Sequence, residues 1–495
     1  MIEKLPIEPL FIKKVLSEKP DLLALSAAQQ GFFPALLESQ SLNEKIGRYD
    51  ILFAAPSIEL VAFNEPQFNQ LLAAIDTKPN KPAPNKPAPI KQASHQATDH
   101  QISQNPFQFG WMVYFSYEAA YLLEPKLNHL LAKTAEPLAV AFYCQGAIVY
   151  DRILEQMTLF AQSQSVADAI HACVTKETHA TDEVAKLTQI QQAPGEEFEQ
   201  AVMLAKELIL SGDIYQANLS RQYHCTADGR LSPAAVMAQL RAANPAPFAG
   251  LLQVNNFAVA SSSPERLFSI RDGVIETRPI AGTRPRGTSK TADLALIQEL
   301  LDTPKERAEH IMLIDLERND MGKVCKTGTV KVDELMVVES YQHVHHIVSN
   351  IKGELKSSVT VVDTLKALFP GGTITGCPKI RCMEVIRDIE RDDRGCYTGS
   401  MGYINHDGQV DLNILIRTVA MQDGEITFNA GAGIVFDSDP KAELQETKHK
   451  AKGLINALSL NALSLNALSL NASSLNALSL NTSSINELNS KVLKQ

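Results

Sequence analysis

The chain has 495 residues, of which 45% are hydrophobic and 21% charged, and its formal net charge is −10 at pH 7. This composition is ordinary for a globular chain that can bury a sizeable core. The negative charge argues against broad electrostatic attraction to nucleic acid or to an anionic membrane, so we expect a small-molecule partner.

Cysteine and hydropathy patterns predict the compartment. The seven cysteines form no CxxC pair and no Cys/His zinc spacing, so reduced thiols are expected. The first sixteen residues mix charged with apolar residues and lack a small-residue cleavage site. No apolar run approaches the roughly 20 residues that span a bilayer. We therefore expect a cytoplasmic protein without a membrane partner.

The N-terminal region, residues 1–150, contains a segment rich in Pro, Gln and Ser. Residues 78–106 repeat the unit NKPAP, a composition typical of a solvated loop or linker. The stretch that follows, FGWMVYFSYEAAYLLEP, has the pattern of a core strand and helix. This favours an insertion within the lobe over the alternative, a domain boundary. Residues 151–193 form a connecting segment.

Helices and strands alternate evenly over residues 194–455. An amphipathic helix is predicted over 196–213, and strands are predicted over 257–263, 412–421 and 426–436. Strands and helices in mixed order indicate a large α+β or α/β body.

The C-terminal segment, residues 456–495, repeats the unit NALSL and carries no charge before Glu487. On a helix, a five-residue step carries the asparagines around the axis, so no apolar face persists. We expect a disordered or loosely helical tail. A period of five leaves a β-solenoid open as the alternative.

The segment PKERAEHIMLIDLERND, residues 304–320, has the periodicity of a helix, and Glu309 lies beside its apolar stripe. A lone glutamate on a helix is more often a solvated charge than a functional group. The stripe consists of Ala308, Ile311, Met312 and Leu316.

A second carboxylate group occurs in KAELQETKHKAKGL, where Glu443, Glu446 and Lys450 share one helix face. One interpretation is a surface salt bridge between Glu446 and Lys450. The other is a hard-oxygen site for Mg²⁺, in which these carboxylates meet a third from another helix and a substrate oxyanion. The spacing alone leaves both open.

Loops and strand ends carry the remaining candidates. Gly431 and Gly433 in NAGAGIVFDSD either let a ligand approach the backbone or serve close strand packing. Glu265, just past a strand, could protonate a leaving group if burial raised its pKa. In FPGGTITGCPK, Cys377 and Pro378 stand where a nucleotide-binding loop needs Lys and Ser/Thr, so no such loop is expected.

Together and in this order, these segments resemble the chorismate-utilising enzymes: anthranilate synthase component I, aminodeoxychorismate synthase component I, and the isochorismate and salicylate synthases. The resemblance covers residues 195–455, and more loosely 30–150. It implies an α+β fold, a two-lobed α/β sandwich of antiparallel sheets with helices outside and the active site enclosed. The motifs that carry it are PIAGTRPRG, ERAEHIMLIDLERND, FPGGTITGCPKIRCMEVI, IRT and AGAGIVFDSDPKAELQETKHKA.

The resemblance implies a role for each matching position. Mg²⁺ would grip the ring carboxylate of chorismate, and Glu265 would be the general acid that helps to expel the C4 hydroxyl. His346 and Ala281 are the other residues implied at the reacting ring. The implied metal carboxylates are Glu309, Glu446 and, close by, Glu443. The implied substrate contacts are Thr375, Tyr397, Arg417, Gly431, Gly433 and Lys450.

The branch of the family depends on a few positions. Water-adding members use a lysine base, whose counterpart here is Gln216, and this disfavours them. Asn218 in YQAN, Phe248 in NPAPF, and TITGCPK resemble the aminodeoxychorismate branch, whereas LLES at 36–39 resembles the tryptophan-inhibition pocket of anthranilate synthase. Ala281 stands where well-known aminodeoxychorismate synthases carry lysine and anthranilate synthases carry alanine.

We favour amination of chorismate to 4-amino-4-deoxychorismate, a precursor of p-aminobenzoate and folate, and keep anthranilate synthase component I as the alternative. A non-catalytic chorismate-binding relative is disfavoured, because the acid and the metal carboxylates are all in place. The sequence has no G-x-C-x-G elbow with a downstream His-x-Glu. The resemblance therefore implies ammonia from a separate glutamine amidotransferase subunit.

Overall fold

The computed structural model describes residues 12–17, 19–40, 46–77, 107–175, 186–228, 232–341 and 344–458. The insertion predicted at 78–106 and residues 459–495 of the repeat tail lie outside the described residues, so those predictions stay predictions. None of the described helices is long and apolar enough to cross a membrane.

Twenty strands of the described chain are joined by antiparallel pairings into one extended sheet system, which confirms the predicted antiparallel architecture. The strands are β1 (Ile12–Val15), β2 (Ala35–Glu38), β3 (Tyr49–Ala62), β4 (Gly110–Phe115), β5 (Ala139–Asp151), β6 (Gln156–Ala161), β7 (Lys186–Gln192), β8 (Gln216–Asp228), β9 (Phe248–Val254), β10 (Phe257–Ser263), β11 (Arg266–Arg271), β12 (Val274–Thr277), β13 (Ile280–Pro285), β14 (Lys331–Ser340), β15 (Val344–Glu354), β16 (Gly376–Cys377), β17 (Ser400–Asn405), β18 (Val410–Asn413), β19 (Thr418–Gln422) and β20 (Glu425–Ile434).

Helices pack against this sheet system. Several of them have a short polar N-cap residue, whose side chain accepts a hydrogen bond from a free backbone N–H group of the first turn. Thr360 and Asp363 form a reciprocal capping box at the start of α9. The helices are α1 (Leu22–Ala28), α2 (Glu65–Ile75), α3 (Ala119–Leu123), α4 (Gln164–Val174), α5 (Gly195–Leu210), α6 (Pro233–Ala243), α7 (Lys290–Asp302), α8 (Pro304–Val324), α9 (Val361–Leu368), α10 (Lys379–Glu390) and α11 (Pro440–Leu458), with 3-10 turns at Pro125–Leu130 and Gly372–Ile374.

Several predicted elements are confirmed, and one strand is corrected. The amphipathic helix of 196–213 is α5, and the strand at 257–263 is β10. The single strand predicted over 412–421 is wrong, because β18 ends at Asn413 and β19 begins at Thr418. Arg417 adopts φ 52° between them, which extended backbone does not allow.

The apolar stripe predicted on α8 is only partly buried. Ile311 is 45% exposed and Ala308 is exposed. Leu316 of the stripe is buried. The buried face also carries polar groups, since His310 bonds the Ser349 hydroxyl and Glu317 is buried. A stripe chosen by hydropathy alone misses a face whose buried side chains are partly polar.

The last helix runs past the predicted end of the catalytic region. α11 continues to Leu458, so the first three residues of the repeat segment are helical. Ala457 and Leu458 are buried in an apolar cluster with Met237 and Leu240 of α6. The first repeat unit therefore contributes to the core.

Candidate active site

Glu265 lies between β10 and β11 and is buried. The Thr373 hydroxyl donates to its Oε1 at 3.0 Å, and the backbone N–H of Ile280 also donates to its carboxyl group. Burial raises the pKa of Glu265 to about 7, although these two donors oppose the shift, and the carboxylate of Glu317 raises it further. A carboxyl group with a pKa near 7 can give up a proton at neutral pH.

Ala281 lies in β13 directly after Ile280, whose backbone N–H donates to the carboxyl group of Glu265. It pairs with Ile347 of β15 and is half-buried. Gly282 after it adopts φ 67°, a conformation that favours glycine. The methyl group of Ala281 therefore brings neither a charge nor a nucleophile to this place.

His346 is buried on β15. Its Nδ1 lies 2.9 Å from the hydroxyl of Thr283, the residue that it faces across the β13–β15 pair. Burial and the Arg417 charge lower the pKa of His346 to about 3. The imidazole is therefore neutral at physiological pH and offers a hydrogen bond rather than a charge.

Arg417 joins β18 to β19, and its carbonyl oxygen accepts a hydrogen bond from the N–H of Ser262 at 3.1 Å. Burial lowers the pKa of Arg417 from its usual value, and Glu265 opposes that shift. Arg417, Pro264 and His346 line a small opening next to residues 244–247. A guanidinium at such an opening can bind a carboxylate of a ligand.

The pairing of β20 with β8 brings two glycines against buried amides. A Cβ at Gly431 would lie 2.6 Å from Tyr397 Oη, and one at Gly433 would lie 2.6 Å from Gln216 Nε2. Gln216 Oε1 and Asn218 Oδ1 are buried and accept no hydrogen bond from the residues that the structure describes. Unused buried acceptors beside bare backbone are typical of a ligand pocket.

The predicted metal carboxylates lie on two helices. On α11, Glu443 is buried, whereas Glu446 is exposed and forms a salt bridge with Lys450 at 2.7 Å. The salt bridge is thus present, the metal role of Glu446 stays a prediction, and Lys450 Nζ also donates to the carbonyl oxygen of Gly431 at 3.0 Å. Glu309 is half-buried on α8.

Within the described ranges, no three acidic, His or Cys side chains are gathered around one point that could hold a metal ion. The predicted ligands Glu309, Glu443 and Glu446 are therefore not gathered into one metal site, although each carboxylate is a hard oxygen ligand. A divalent ion bound there would take most of its ligands from water and from a bound substrate, an arrangement that suits Mg²⁺.

Thr375 is fully buried in the turn that follows α9. Its hydroxyl donates to the carbonyl oxygen of Gly371 at 2.9 Å, and its own carbonyl oxygen accepts from the N–H of Asn218. Because the hydroxyl is committed to its own turn, Thr375 shapes the pocket rather than donating to a ligand.

Two functional candidates were missed by sequence reasoning. Arg394 is buried and lies over the ring of Tyr397 at 5.6 Å. Its guanidinium donates to Glu390 Oε1 and Oε2, to the carbonyl oxygens of Asn218 and Ile374, and to Thr398 Oγ1. It thereby fastens four segments around the pocket. In the sequence it stands in RDDRG, a charged run that predicts only an exposed loop.

The second missed residue is Glu317, which precedes Arg318 in the motif ERND. A glutamate among charged neighbours on a helix predicts a solvated side chain, but Glu317 is buried next to the turn that bonds Glu265. No sequence signal distinguishes it from Asp315, which is exposed one half-turn away.

A second cleft, larger than the opening at Arg417, is lined by residues of β2, β9, β11 and β18. The LLES segment provides part of its wall through Leu37, Glu38 and Ser39, and Arg266 and Asp411 face it from the other side. It contains none of the predicted catalytic or metal-binding residues.

Comparisons with known proteins give the family of this chain. A family model described as chorismate binding enzyme matches residues 36–456. An anthranilate synthase component I-like protein of Synechocystis sp. is 43% identical over 363 residues, which cover 71% of this chain and 73% of that protein. Aminodeoxychorismate synthase component 1 of Bacillus subtilis is 46% identical over 265 residues, 53% of this chain and 56% of that protein.

A solved structure shows the same fold. The crystal structure of anthranilate synthase component I from Streptococcus pneumoniae superposes with a TM-score of 0.69 at 29% sequence identity, and covers 84% of this chain and 93% of that one. Since the family model spans most of the chain and the fold agrees along nearly the whole of that relative, the chain belongs to the chorismate binding enzymes.

Proposed function

We propose that this chain aminates chorismate at C4 and releases 4-amino-4-deoxychorismate and water. The observation that carries the proposal is the pairing of a buried acid, Glu265 with a pKa of about 7, with an amide, Gln216, where a water-adding relative would carry a lysine base. Glu265 would protonate the C4 hydroxyl, which then leaves as water. The amide leaves attack to an incoming nitrogen nucleophile, since an amide takes no proton from water.

Binding of chorismate, a dianion, requires positive charge and donors at both of its ends. Arg417, the pocket wall at Tyr397, and the backbone of Gly431 and Gly433 would hold the enolpyruvyl carboxylate. Lys450 adds positive charge beside Gly431. The neutral ring of His346 and the turn at Thr375 would bound the cyclohexadiene ring.

We assign Mg²⁺ to the ring carboxylate, with Glu309 and Glu446 as its protein ligands and Glu443 nearby. The ion would supply charge that offsets the desolvation of the substrate carboxylate. Ammonia would come from a separate glutamine amidotransferase subunit, because the sequence lacks the elbow motif of such an enzyme.

The second candidate is anthranilate synthase, in which ammonia enters at C2 and pyruvate is released. Ala281 favours it, because no side-chain amine stands beside the acid to add at C2 first. The relative from Streptococcus pneumoniae is an anthranilate synthase component I and the one from Synechocystis is named an anthranilate synthase component I-like protein, whereas the one from Bacillus subtilis is an aminodeoxychorismate synthase.

Product identification decides between the two. The purified full chain is incubated with chorismate, Mg²⁺ and an ammonium salt, and the products are separated and identified by mass and fluorescence. We expect an aminated product that keeps its enolpyruvyl group. Release of anthranilate and pyruvate would instead establish the second candidate, and unchanged chorismate would refute both.

A further inference from the structure

Glu265 and Glu317 approach one turn, residues 371–375, from two sides. The Thr373 hydroxyl donates to Glu265 Oε1 at 3.0 Å, and the N–H of the preceding residue, Gly372, donates to Glu317 Oε1 at 3.3 Å. Two consecutive residues therefore bond two carboxyl groups that come from distant parts of the chain. Both carboxyl groups are buried.

The side chain of Glu317 is closely packed. Its Oε2 accepts from the Thr277 hydroxyl at 3.1 Å. A Cβ at Gly372 would lie 2.6 Å from Leu316 Cδ2 and 3.2 Å from Glu317 Oε1, so a larger residue at this position would displace these side chains. Burial raises the pKa of Glu317 to about 7.

The charges that face the pair are few. Lys379 stabilises the ionised form of Glu317, but it also forms an ion pair with Asp320. Asp320 in turn opposes ionisation of Glu317 and bonds Lys323 at 2.8 Å. On the side of Glu265, the nearby cation is Arg417.

We propose that Glu317 is a second carboxyl group of the acid site and that, when Glu317 is ionised, its negative charge keeps the proton on Glu265, so that Glu265 can deliver it to the leaving hydroxyl. The role of Glu265 as the acid rests on the proposed function, whereas the coupling of the two carboxyl groups does not. Like charges in a shared, poorly solvated space disfavour double ionisation. Glu317 does not need to touch the substrate and is a positioning residue for the proton.

A titration that needs no turnover tests the coupling. The infrared carbonyl band of protonated carboxyl groups is followed against pH in the full chain, and the part of the band that Glu265→Gln removes belongs to Glu265. In Glu317→Gln, we expect the midpoint of that part to move to lower pH, because a repelling charge is gone. In the unmodified chain, coupling spreads the loss of the band over more than one step.

Two further variants keep the titration decisive. Glu317→Leu removes the same charge and is used if Glu317→Gln does not fold. Asp50→Asn is the matched control, since Asp50 is another buried carboxyl group with a pKa raised to about 6, but its partners are Ser39 and Arg152. The control should leave the midpoint of Glu265 unchanged. An unchanged midpoint in the Glu317 variants overturns the proposal.

Kinetics then connect the pair to the reaction. A general acid works while it is protonated, so kcat falls as pH rises through its pKa. With free ammonia held constant at each pH, Glu317→Gln should raise the ratio of kcat at low pH to kcat at high pH by about threefold or more, which corresponds to a shift of half a pH unit. A purely structural role would lower kcat equally at every pH. If chorismate is not consumed at all, the proposed function fails while the infrared midpoint still decides the coupling.

Discussion

Gly431 and Gly433 make a matched pair for testing whether β20 forms the pocket wall. An added Cβ at Gly431 would lie 2.6 Å from the carbonyl oxygen of Leu219, 2.6 Å from Tyr397 Oη and 2.9 Å from Asn218 Oδ1. The first of these is backbone, which moves only if β8 moves. An added Cβ at Gly433 would approach only the flexible amide end of Gln216.

The expected magnitudes follow from these contacts. Overpacking of this kind costs about 1–3 kcal/mol, whereas the entropy gained on replacing glycine is common to both variants. Gly431→Ala should therefore be less stable than Gly433→Ala by about 1–3 kcal/mol, which is about 1–3 °C in Tm for a chain of this size. If Tyr397 moves to relieve the clash, bound substrate must restore it, and KM for chorismate rises roughly 5- to 150-fold.

The assays are thermal unfolding and steady-state turnover of both variants and the unmodified chain. Gly433→Ala should unfold close to the unmodified chain and should show the smaller rise in KM. Equal Tm and equal KM in the two variants would refute the reasoning, because the Cβ clash at Gly431 would then have no consequence for either the fold or the pocket.

Three further predictions follow from the site and the tail. Glu309→Gln or Glu446→Gln should abolish turnover at ordinary Mg²⁺ and leave Tm unchanged, whereas Asp315→Asn on the exposed face of α8 should stay active; full activity in either glutamine variant contradicts the metal assignment. Deletion of residues 460–495 should leave turnover and Tm nearly unchanged, and a large fall in either would show that the repeats pack on the body. Ala281→Lys should keep the aminated product and form a covalent adduct, visible by intact mass, when ammonia is withheld; release of anthranilate by the unmodified chain contradicts the underlying branch assignment.

The sequence motifs predicted those site residues whose amino-acid type alone indicates a role. Gly431 and Gly433 were predicted as places of close backbone approach, and the structure puts both against buried amides. Glu265 was predicted as an acid on the condition that burial raised its pKa, and it is buried with a pKa of about 7. In these cases the amino-acid type within a short motif is enough to predict what the residue does: glycine allows a close approach of the backbone, and a buried carboxyl group can act as an acid.

Residues whose role comes from tertiary burial gave no such signal. Glu317 and Asp315 both lie in the charged run DLERND on one helix, yet one is buried and the other exposed. The difference arises because the turn at Gly372 packs against one face of α8, a contact between segments 55 residues apart. Local hydropathy contains no information about that contact, and for the same reason it placed the exposed residues Ala308 and Ile311 in the apolar stripe of α8.

Arg394, which the motifs missed, also explains how the segments that contain the motifs are placed relative to one another. Every N–H group of the Arg394 guanidinium donates a hydrogen bond, and the acceptors lie on four segments, at Glu390, Asn218, Thr398 and the turn before Thr375. One satisfied guanidinium therefore holds these segments together. An unsatisfied buried guanidinium would be strongly destabilising, and each of those segments must therefore reach it in the folded chain. A single buried cation thus sets the relative placement of pocket walls whose own sequences specify only their local conformation.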